Sequence, residues 1–201
     1  MMNSLYRHFR IAYCFIIPIV RMLFPLRIHH AERLPDGPMV VCAPHSALVD
    51  PILIMAVLTI RRYPRYLAKK ELFSIPVVGA FLRWIGMIPV ERGKADISAI
   101  RTALGVLKEK GIIGIFPEGT RVQEEHAAEA KTGAVMLASR TGVPILPVWM
   151  PRKKGIFRRV DVVVGEPYTL PALRGSSEYR IHAEELMRRI GLLQKEAAPC
   201  T

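Results

Sequence analysis

Short apolar runs bounded by proline or glycine alternate along the chain with longer segments in which apolar residues recur every three or four positions. The short runs predict buried strands and the longer segments predict helices. This alternation is typical of an α/β domain with a mostly parallel central sheet flanked by helices. The predicted strands cover residues 39–43, 65–68, 87–90, 112–116, 145–149 and 160–164, and the predicted helices cover residues 52–60, 76–84, 95–109, 131–140 and 179–193.

The chain has 201 residues, which is enough for one full-sized core, and it shows no internal repeat or dividing linker. We therefore predict a single domain over residues 31–195. An N-terminal helical segment over residues 1–30 precedes it, and a frayed tail over residues 196–201 follows it.

The N-terminal segment contains an apolar run over residues 11–26 that Arg21 interrupts. The run is shorter than the roughly 20 apolar residues that a spanning helix needs, and no signal-peptide cleavage site follows it. We interpret it as a helix lying in a membrane surface, with Arg7, Arg10, Arg21 and Arg27 at the level of the lipid headgroups. The alternatives are a helix packed on the domain's own core and a spanning or cleaved segment.

Composition narrows the range of partners. The formal net charge of +12 indicates an anionic partner, which could be a nucleic acid, an acidic membrane surface or a phosphorylated ligand. Hydrophobic residues make up 51% of the chain and the mean hydropathy is +0.23, which favours a membrane over a nucleic acid. Three well-separated cysteines exclude a disulfide framework and suit a reducing compartment. The histidines and cysteines show no metal-ligand spacing, so no metal site is predicted.

His45 and Asp50 directly follow the first predicted strand. Five residues of regular helix turn through about 500°, so the two side chains can meet only if the chain turns between them. Pro44 and the Asp50-Pro51 dipeptide favour such a turn. A carboxylate bonded to one imidazole nitrogen makes the other nitrogen a better general base. The alternative is that Asp50 merely caps the following helix.

The hexamer from Phe116 to Arg121 leaves another predicted strand through a Pro–Gly turn. Backbone N–H groups around Gly119, the Thr120 hydroxyl and the Arg121 guanidinium are suitable donors to a phosphate. We read this segment as a phosphate cradle, although Glu118 and Arg121 could instead form an ordinary ion pair across the turn.

Two further blocks are a strand ending in charged residues (86–92) and a proline-bracketed strand (143–148). Taken in order with the His45 and Phe116 blocks, they resemble the glycerophospholipid acyltransferase family. They are most similar to its bacterial 1-acyl-sn-glycerol-3-phosphate (lysophosphatidic acid) acyltransferases. The resemblance covers roughly residues 30–170, and FPEGTR (116–121) is its most specific motif.

The resemblance implies an enzyme that moves an acyl chain from acyl-CoA or acyl-carrier protein to the free hydroxyl of 1-acyl-glycerol-3-phosphate. The product is phosphatidic acid for phospholipid biosynthesis, and residues 31–195 are the catalytic domain. It implies that His45 is the general base and Asp50 its orienting partner. The residues expected to bind substrate are Lys69, Arg92, Glu118, Gly119 and Arg121, to which the cradle adds Thr120.

No serine or cysteine occupies a nucleophile-elbow pattern, so we expect direct transfer without a covalent acyl-enzyme and without a cofactor beyond the thioester co-substrate. The expected partners are a lysophospholipid acceptor, the acyl donor and an anionic membrane at the cytoplasmic face of the cell membrane, with peripheral or monotopic attachment. Basic stretches at residues 61–70 and 152–159 suit an anionic donor or lipid headgroups.

Three alternatives stay open. The same chemistry could act on another lysolipid or on glycerol-3-phosphate. A non-catalytic lipid-binding module would explain the apolar segment and the phosphate cradle without needing His45. A nucleic-acid-binding domain would explain the positive charge but not the two motifs, so we expect no nucleic acid partner.

Overall fold

The computed structural model describes residues 2–91, 96–119 and 131–197. Within these residues the chain forms six α-helices, seven strands and three short 3₁₀ helices (Ala31–Arg33, Lys70–Ser74 and Leu193–Ala197). The helices are α1 Met2–Leu23, α2 Asp50–Leu58, α3 Pro76–Trp84, α4 Ile97–Lys108, α5 Gly133–Thr141 and α6 Ser176–Leu192. The strands are β1 Leu26–His29, β2 Met39–Cys42, β3 Pro64–Lys69, β4 Ile88–Val90, β5 Ile112–Ile115, β6 Ile145–Trp149 and β7 Val160–Val164.

All seven strands join one sheet in the order β1-β7-β6-β2-β5-β3-β4. The β6–β7 pair is antiparallel and the other neighbouring pairs are parallel. The predicted mostly parallel α/β fold is therefore confirmed.

Helices cover both faces of the sheet, which gives the domain two hydrophobic cores. On β2 the side chains alternate between them, since Met39 and Val41 belong to one core and Val40 and Cys42 to the other. The first core contains buried residues of α1 and α2, and the second contains buried residues of α4, α5 and α6.

Most predicted elements are observed with ends that differ by one to three residues, but the strand β1 was not predicted. It lies inside the segment that the sequence assigned to an N-terminal helix, and it pairs in parallel with β7. Its four residues follow closely on the apolar run of α1, so no polar break separates the two elements in the sequence. The N-terminal segment is thus part helix and part sheet.

The helix α1 packs on the domain along one face only. Phe9, Ile17 and Val20 are buried, and the Phe9 ring stacks on Tyr63 with centroids 4.4 Å apart. Packing on the domain's own core therefore describes this face. The opposite face exposes the large apolar side chains of Ile11, Phe15, Ile19 and Met22. The membrane contact of this face stays a prediction.

Of the four arginines predicted at headgroup level, Arg27 lies in the strand β1 and Arg21 has its side chain bonded to α2. Arg21 donates to the carbonyl oxygen of Ala56, in the last turns of α2, at 3.0 Å. In the described part of the chain, no helix combines the length and the apolar character that crossing a membrane requires.

Candidate active site

Three loops meet at the carboxyl edge of the central strands. β2 lies between β5 and β6 in the sheet, and all three run in the same direction. The loops after β2, β5 and β6 carry His45, Glu118 and Lys154 respectively. Crevices at such an edge, where strand order reverses about a central strand, are the usual ligand sites of α/β sheets.

The turn after β2 is folded around the carboxylate of Asp50. Its Oδ2 accepts the backbone N–H groups of Ser46 at 2.6 Å and Ala47 at 2.8 Å, and it lies 3.1 Å from His45 Nδ1. The structure therefore brings His45 and Asp50 together. Asp50 is the first residue of α2 and Val49 is its N-cap, so Asp50 is not the cap of this helix.

The imidazole of His45 is held from two sides. Its ring stacks on Phe116 at the end of β5, with centroids 4.2 Å apart and planes 20° apart. An ionised carboxylate only accepts hydrogen bonds, so Nδ1 is assigned the proton and donates a hydrogen bond to Asp50. Nε2 is then the nitrogen that can accept a proton.

A lysine from the loop after β6 completes the surroundings of Asp50. Lys154 Nζ lies 2.8 Å from Asp50 Oδ1 and donates to Ser46 Oγ at 3.0 Å. Burial raises the pKa of Asp50, but hydrogen bonds from His45, Lys154 and the Ala47 N–H outweigh it, so the pKa lies below its ordinary value. Asp50 is therefore an anion at neutral pH.

Glu118 is buried and bonded on both carboxylate oxygens. Its Oε2 accepts the backbone N–H of His45 at 3.0 Å, and its Oε1 pairs with the guanidinium of Arg152. Gly119 has a φ of 70°, in the left-handed region that glycine tolerates, and its own N–H donates to the carbonyl oxygen of Phe116 at 2.9 Å. The turn thus ties residues 116–119 to the backbone of His45.

The other predicted substrate-binding residues are spread. Lys69 ends β3, is exposed, and forms an ion pair with Glu71 at 3.3 Å. Arg92, Thr120 and Arg121 lie outside the described residues.

His45 opens on a large apolar cavity of about 940 Å³. Part of its wall is polar and is lined by Lys69, Glu118, Gly119 and Lys131. Charged groups therefore lie beside an otherwise apolar wall. Its volume is at the upper end of the range for small-molecule sites, and an apolar chain with a polar end fits such a lining. The apolar wall draws on several helices and includes Ile16, Met55, Leu82, Ile100 and Met136.

Sequence reasoning missed the roles of Arg152 and Lys154. It assigned both to a basic stretch suited to an anionic donor or to lipid headgroups, yet their side chains are only 11% and 2% exposed, and each pairs with a motif carboxylate. A signal existed, because buried carboxylates at strand ends require cationic partners. The identity of the lysine or arginine that pairs with each carboxylate follows only from the order of the strands in the sheet.

Comparison with known proteins agrees with the family resemblance that the motifs indicate. Residues 25–151 match the acyltransferase family model. The chain is 34% identical over 148 residues to a 1-acyl-sn-glycerol-3-phosphate acyltransferase of Bacillus subtilis, which covers 71% of this chain and 73% of that protein. It is 33% identical over 155 residues to the enzyme of the same name from Streptococcus pneumoniae, covering 73% of this chain but only 56% of that protein.

The fold has a solved counterpart. The structure is similar to the crystal structure of the 1-acyl-sn-glycerophosphate (LPA) acyltransferase PlsC from Thermotoga maritima, with a TM-score of 0.68 and 25% sequence identity. The similarity covers 99% of this chain and 81% of that one. The resemblance inferred from the four sequence blocks is confirmed, and the chain belongs to the acyltransferase family.

Proposed function

We propose that this acyltransferase moves an acyl chain from an acyl thioester to the free hydroxyl of 1-acyl-glycerol-3-phosphate, forming phosphatidic acid for phospholipid biosynthesis. The observation that carries the proposal is His45, which lies 3.1 Å from Asp50 and lines a cavity of about 940 Å³ whose walls are mainly apolar. The names of the bacterial relatives support the choice of acceptor.

The reaction needs one general base. His45 Nε2 takes the proton of the acceptor hydroxyl as its oxygen attacks the thioester carbonyl, and the Asp50 carboxylate stabilises the resulting imidazolium. The tetrahedral intermediate then expels the thiolate, which receives the proton from His45. The new ester and the free thiol account for all atoms, and no cofactor enters beyond the thioester co-substrate.

Direct transfer is supported by the position of Ser46. This hydroxyl is next to His45 in the chain, but it donates to the carbonyl oxygen of Arg152 at 2.7 Å and accepts from Lys154. It is engaged by the β6–β7 loop, so a seryl intermediate is not part of the proposal.

The polar end of the acceptor is assigned to the side of the cavity that Lys69, Gly119 and Lys131 line. We propose that Arg92, Gly119, Thr120 and Arg121 hold its phosphate, with Lys69 near the phosphate or the donor. For Glu118 we propose a different part from the one that the resemblance implies. Both of its oxygens are engaged by protein groups, so it holds the backbone of His45 and does not touch the substrate.

We further propose that the chain works on an anionic membrane, attached peripherally or monotopically at the cytoplasmic face of the cell membrane. The apolar face of α1 supports contact with the acyl region of a membrane, and the net charge of +12 supports contact with anionic headgroups. The free thiols of Cys14 and Cys42 suit a reducing compartment. The proposal includes both acyl-CoA and acyl-carrier protein as acyl donors, since both are anionic thioesters.

The test is an acyl-transfer assay with the purified chain and both donor types. The acceptors are 1-acyl-glycerol-3-phosphate, another lysolipid and glycerol-3-phosphate. We expect phosphatidic acid from the first acceptor and a loss of roughly 10²–10⁴-fold in His45→Ala. His182→Ala, a histidine on α6 that does not line the cavity, is the matched control. Acceptor binding without turnover would instead indicate a lipid-binding module, and equal rates in His45→Ala would refute the general-base role.

A further inference from the structure

The loop between β6 and β7 directs one lysine into the protein interior. The side chain of Lys154 is 2% exposed, and its ammonium contacts both Asp50 Oδ1 and Ser46 Oγ. Lysines almost never bury their charge without a partner, because removing an ammonium from water is costly. The partner here is the carboxylate that also receives the hydrogen bond from His45.

The charges around His45 balance when its imidazole is uncharged. Asp50 pairs with Lys154, and Glu118 pairs with Arg152. If Lys154 carried no charge, the buried carboxylate of Asp50 would keep its two backbone N–H donors but would lose its counter-ion, and a proton on the adjoining His45 would restore neutrality. An opposite charge in direct contact favours the protonated imidazole, which cannot accept a proton from a hydroxyl.

We propose that Lys154 is a positioning residue that neutralises the Asp50 carboxylate, so that His45 stays an uncharged base near neutral pH. The inference rests on the proposed acyl transfer, in which Lys154 acts through Asp50 without touching the substrate. The hydrogen bond from Lys154 to Ser46 Oγ also fixes the turn that carries His45.

Further polar groups near the His45–Asp50 pair come from β3 and from the loop after β5. Tyr66 on β3 is a buried phenol whose hydroxyl donates to the carbonyl oxygen of Pro51 at 3.2 Å. Burial raises the pKa of Tyr66 and the charge of Asp50 adds to this, so the phenol remains neutral over the working range. The carboxylate of Glu118 is matched by Arg152 in the same loop as Lys154. Lys154 is thus the cation that balances the negative charge of Asp50.

Two substitutions separate charge from shape. Lys154→Gln keeps an N–H donor for Ser46 but removes the positive charge, whereas Lys154→Arg keeps the charge and changes the shape. Lys108→Gln is the control, because Lys108 is an exposed lysine in the last turn of α4 and does not line the cavity. The rate of acyl transfer is measured from pH 5 to pH 10 with the full chain, and folding is checked by circular dichroism.

In Lys154→Gln the acid limb of the pH–rate profile should move upward by about 1–3 pH units, as expected for the loss of a neighbouring opposite charge. Each unit lowers the rate tenfold at a fixed pH on that limb. The defect should shrink at high pH, and the acceptor KM should change less than kcat. Lys154→Arg and Lys108→Gln should keep the acid limb of the unmodified chain.

A folded Lys154→Gln variant whose acid limb does not move would overturn the inference, as would a shifted limb in Lys154→Arg. If the Gln variant does not fold, the Arg variant alone decides, since its unaltered limb is required. An unmodified chain that transfers no acyl group would refute the proposed function itself, which is a separate outcome.

Discussion

Glu118 holds the backbone of His45, with 3.0 Å between Oε2 and the amide nitrogen, although the two residues lie 73 positions apart in the chain. The ring of the same histidine is held by Asp50. One carboxylate from each motif therefore fixes one part of His45, and each carboxylate has its own cation in the loop after β6.

Glu118→Gln should destabilise the protein mainly by removing the carboxylate that pairs with Arg152. The amide oxygen can still accept the N–H of His45, but the buried ion pair with the guanidinium is lost. We expect a loss of roughly 3 kcal/mol in the free energy of unfolding, the lower end of the range for broken buried pairs. Urea denaturation measures it. Glu118→Gln combined with Arg152→Gln should cost less than the two changes added together, and simple additivity would contradict the pairing.

The stability of the fold should depend on pH through Asp50. Its pKa is lowered in the folded chain, so it stabilises the fold above the unfolded pKa of about 3.9, and this contribution is lost as the pH falls through the folded pKa. Asp50→Asn leaves Lys154 unpaired and should cost about 3–5 kcal/mol at pH 7. Below about pH 4 the gap from the unmodified chain should narrow.

Urea midpoints between pH 2 and pH 7 measure this difference. The control is Asp36→Asn, because Asp36 is an exposed partner of Arg62 and should contribute within about 0.5 kcal/mol. A gap that stays constant down to the lowest pH would show that Asp50 does not contribute through its charge.

Gly114 allows a stack of three rings that ends on His45. It lies opposite Tyr66 in the β3–β5 pair, and a Cβ atom there would clash with the Tyr66 ring. Tyr66 stacks on Phe116, which stacks on His45. Gly114→Ala should therefore cost about 1–3 kcal/mol of stability through overpacking and should also lower kcat.

The matched control is Gly105→Ala in the helix α4, where an added methyl group meets nothing within 4 Å. That change should be neutral or stabilising by up to about 1 kcal/mol, because alanine favours a helix. Thermal melts and acyl-transfer rates of both variants give the comparison. A Gly114→Ala variant with unchanged melting and rate would show that the ring stack is dispensable.

The exposed face of α1 should bind lipid without being needed for folding. Phe15 and Ile19 are 72% and 55% exposed. Replacing each by serine should weaken binding to anionic phospholipid vesicles by about tenfold or more, since burying such a side chain contributes about 1.5–3 kcal/mol. Vesicle sedimentation measures the binding, and added salt should weaken it only in part.

Ile181→Ser on α6 removes an equally exposed isoleucine elsewhere and serves as the control. We expect its vesicle binding to match that of the unmodified chain. Equal binding by the Phe15 and Ile19 variants would mean that another surface meets the membrane. Single replacements are preferable to truncation, because Phe9, Ile17 and Val20 of the same helix belong to the buried interior.

The sequence was sufficient for features that depend on neighbouring residues. The strand and helix alternation predicted the α/β sheet, and the prolines around His45 and Asp50 predicted the turn between them. The partners of Asp50 and Glu118 could not be predicted in this way. Lys154 reaches Ser46 from 108 positions away and Arg152 reaches Glu118 from 34 positions away, and both contacts exist because β2 lies between β5 and β6.

The pairing of β1 with β7 has a consequence for biosynthesis. The first strand finds its partner more than 130 residues later in the chain. At roughly 5–20 residues per second, a ribosome needs about 7–27 s to make that stretch. During this interval the sheet edge at β1 is unpaired while the apolar face of α1 has already been made. The apolar face of α1, for which we propose membrane contact, is therefore available before the sheet can be completed.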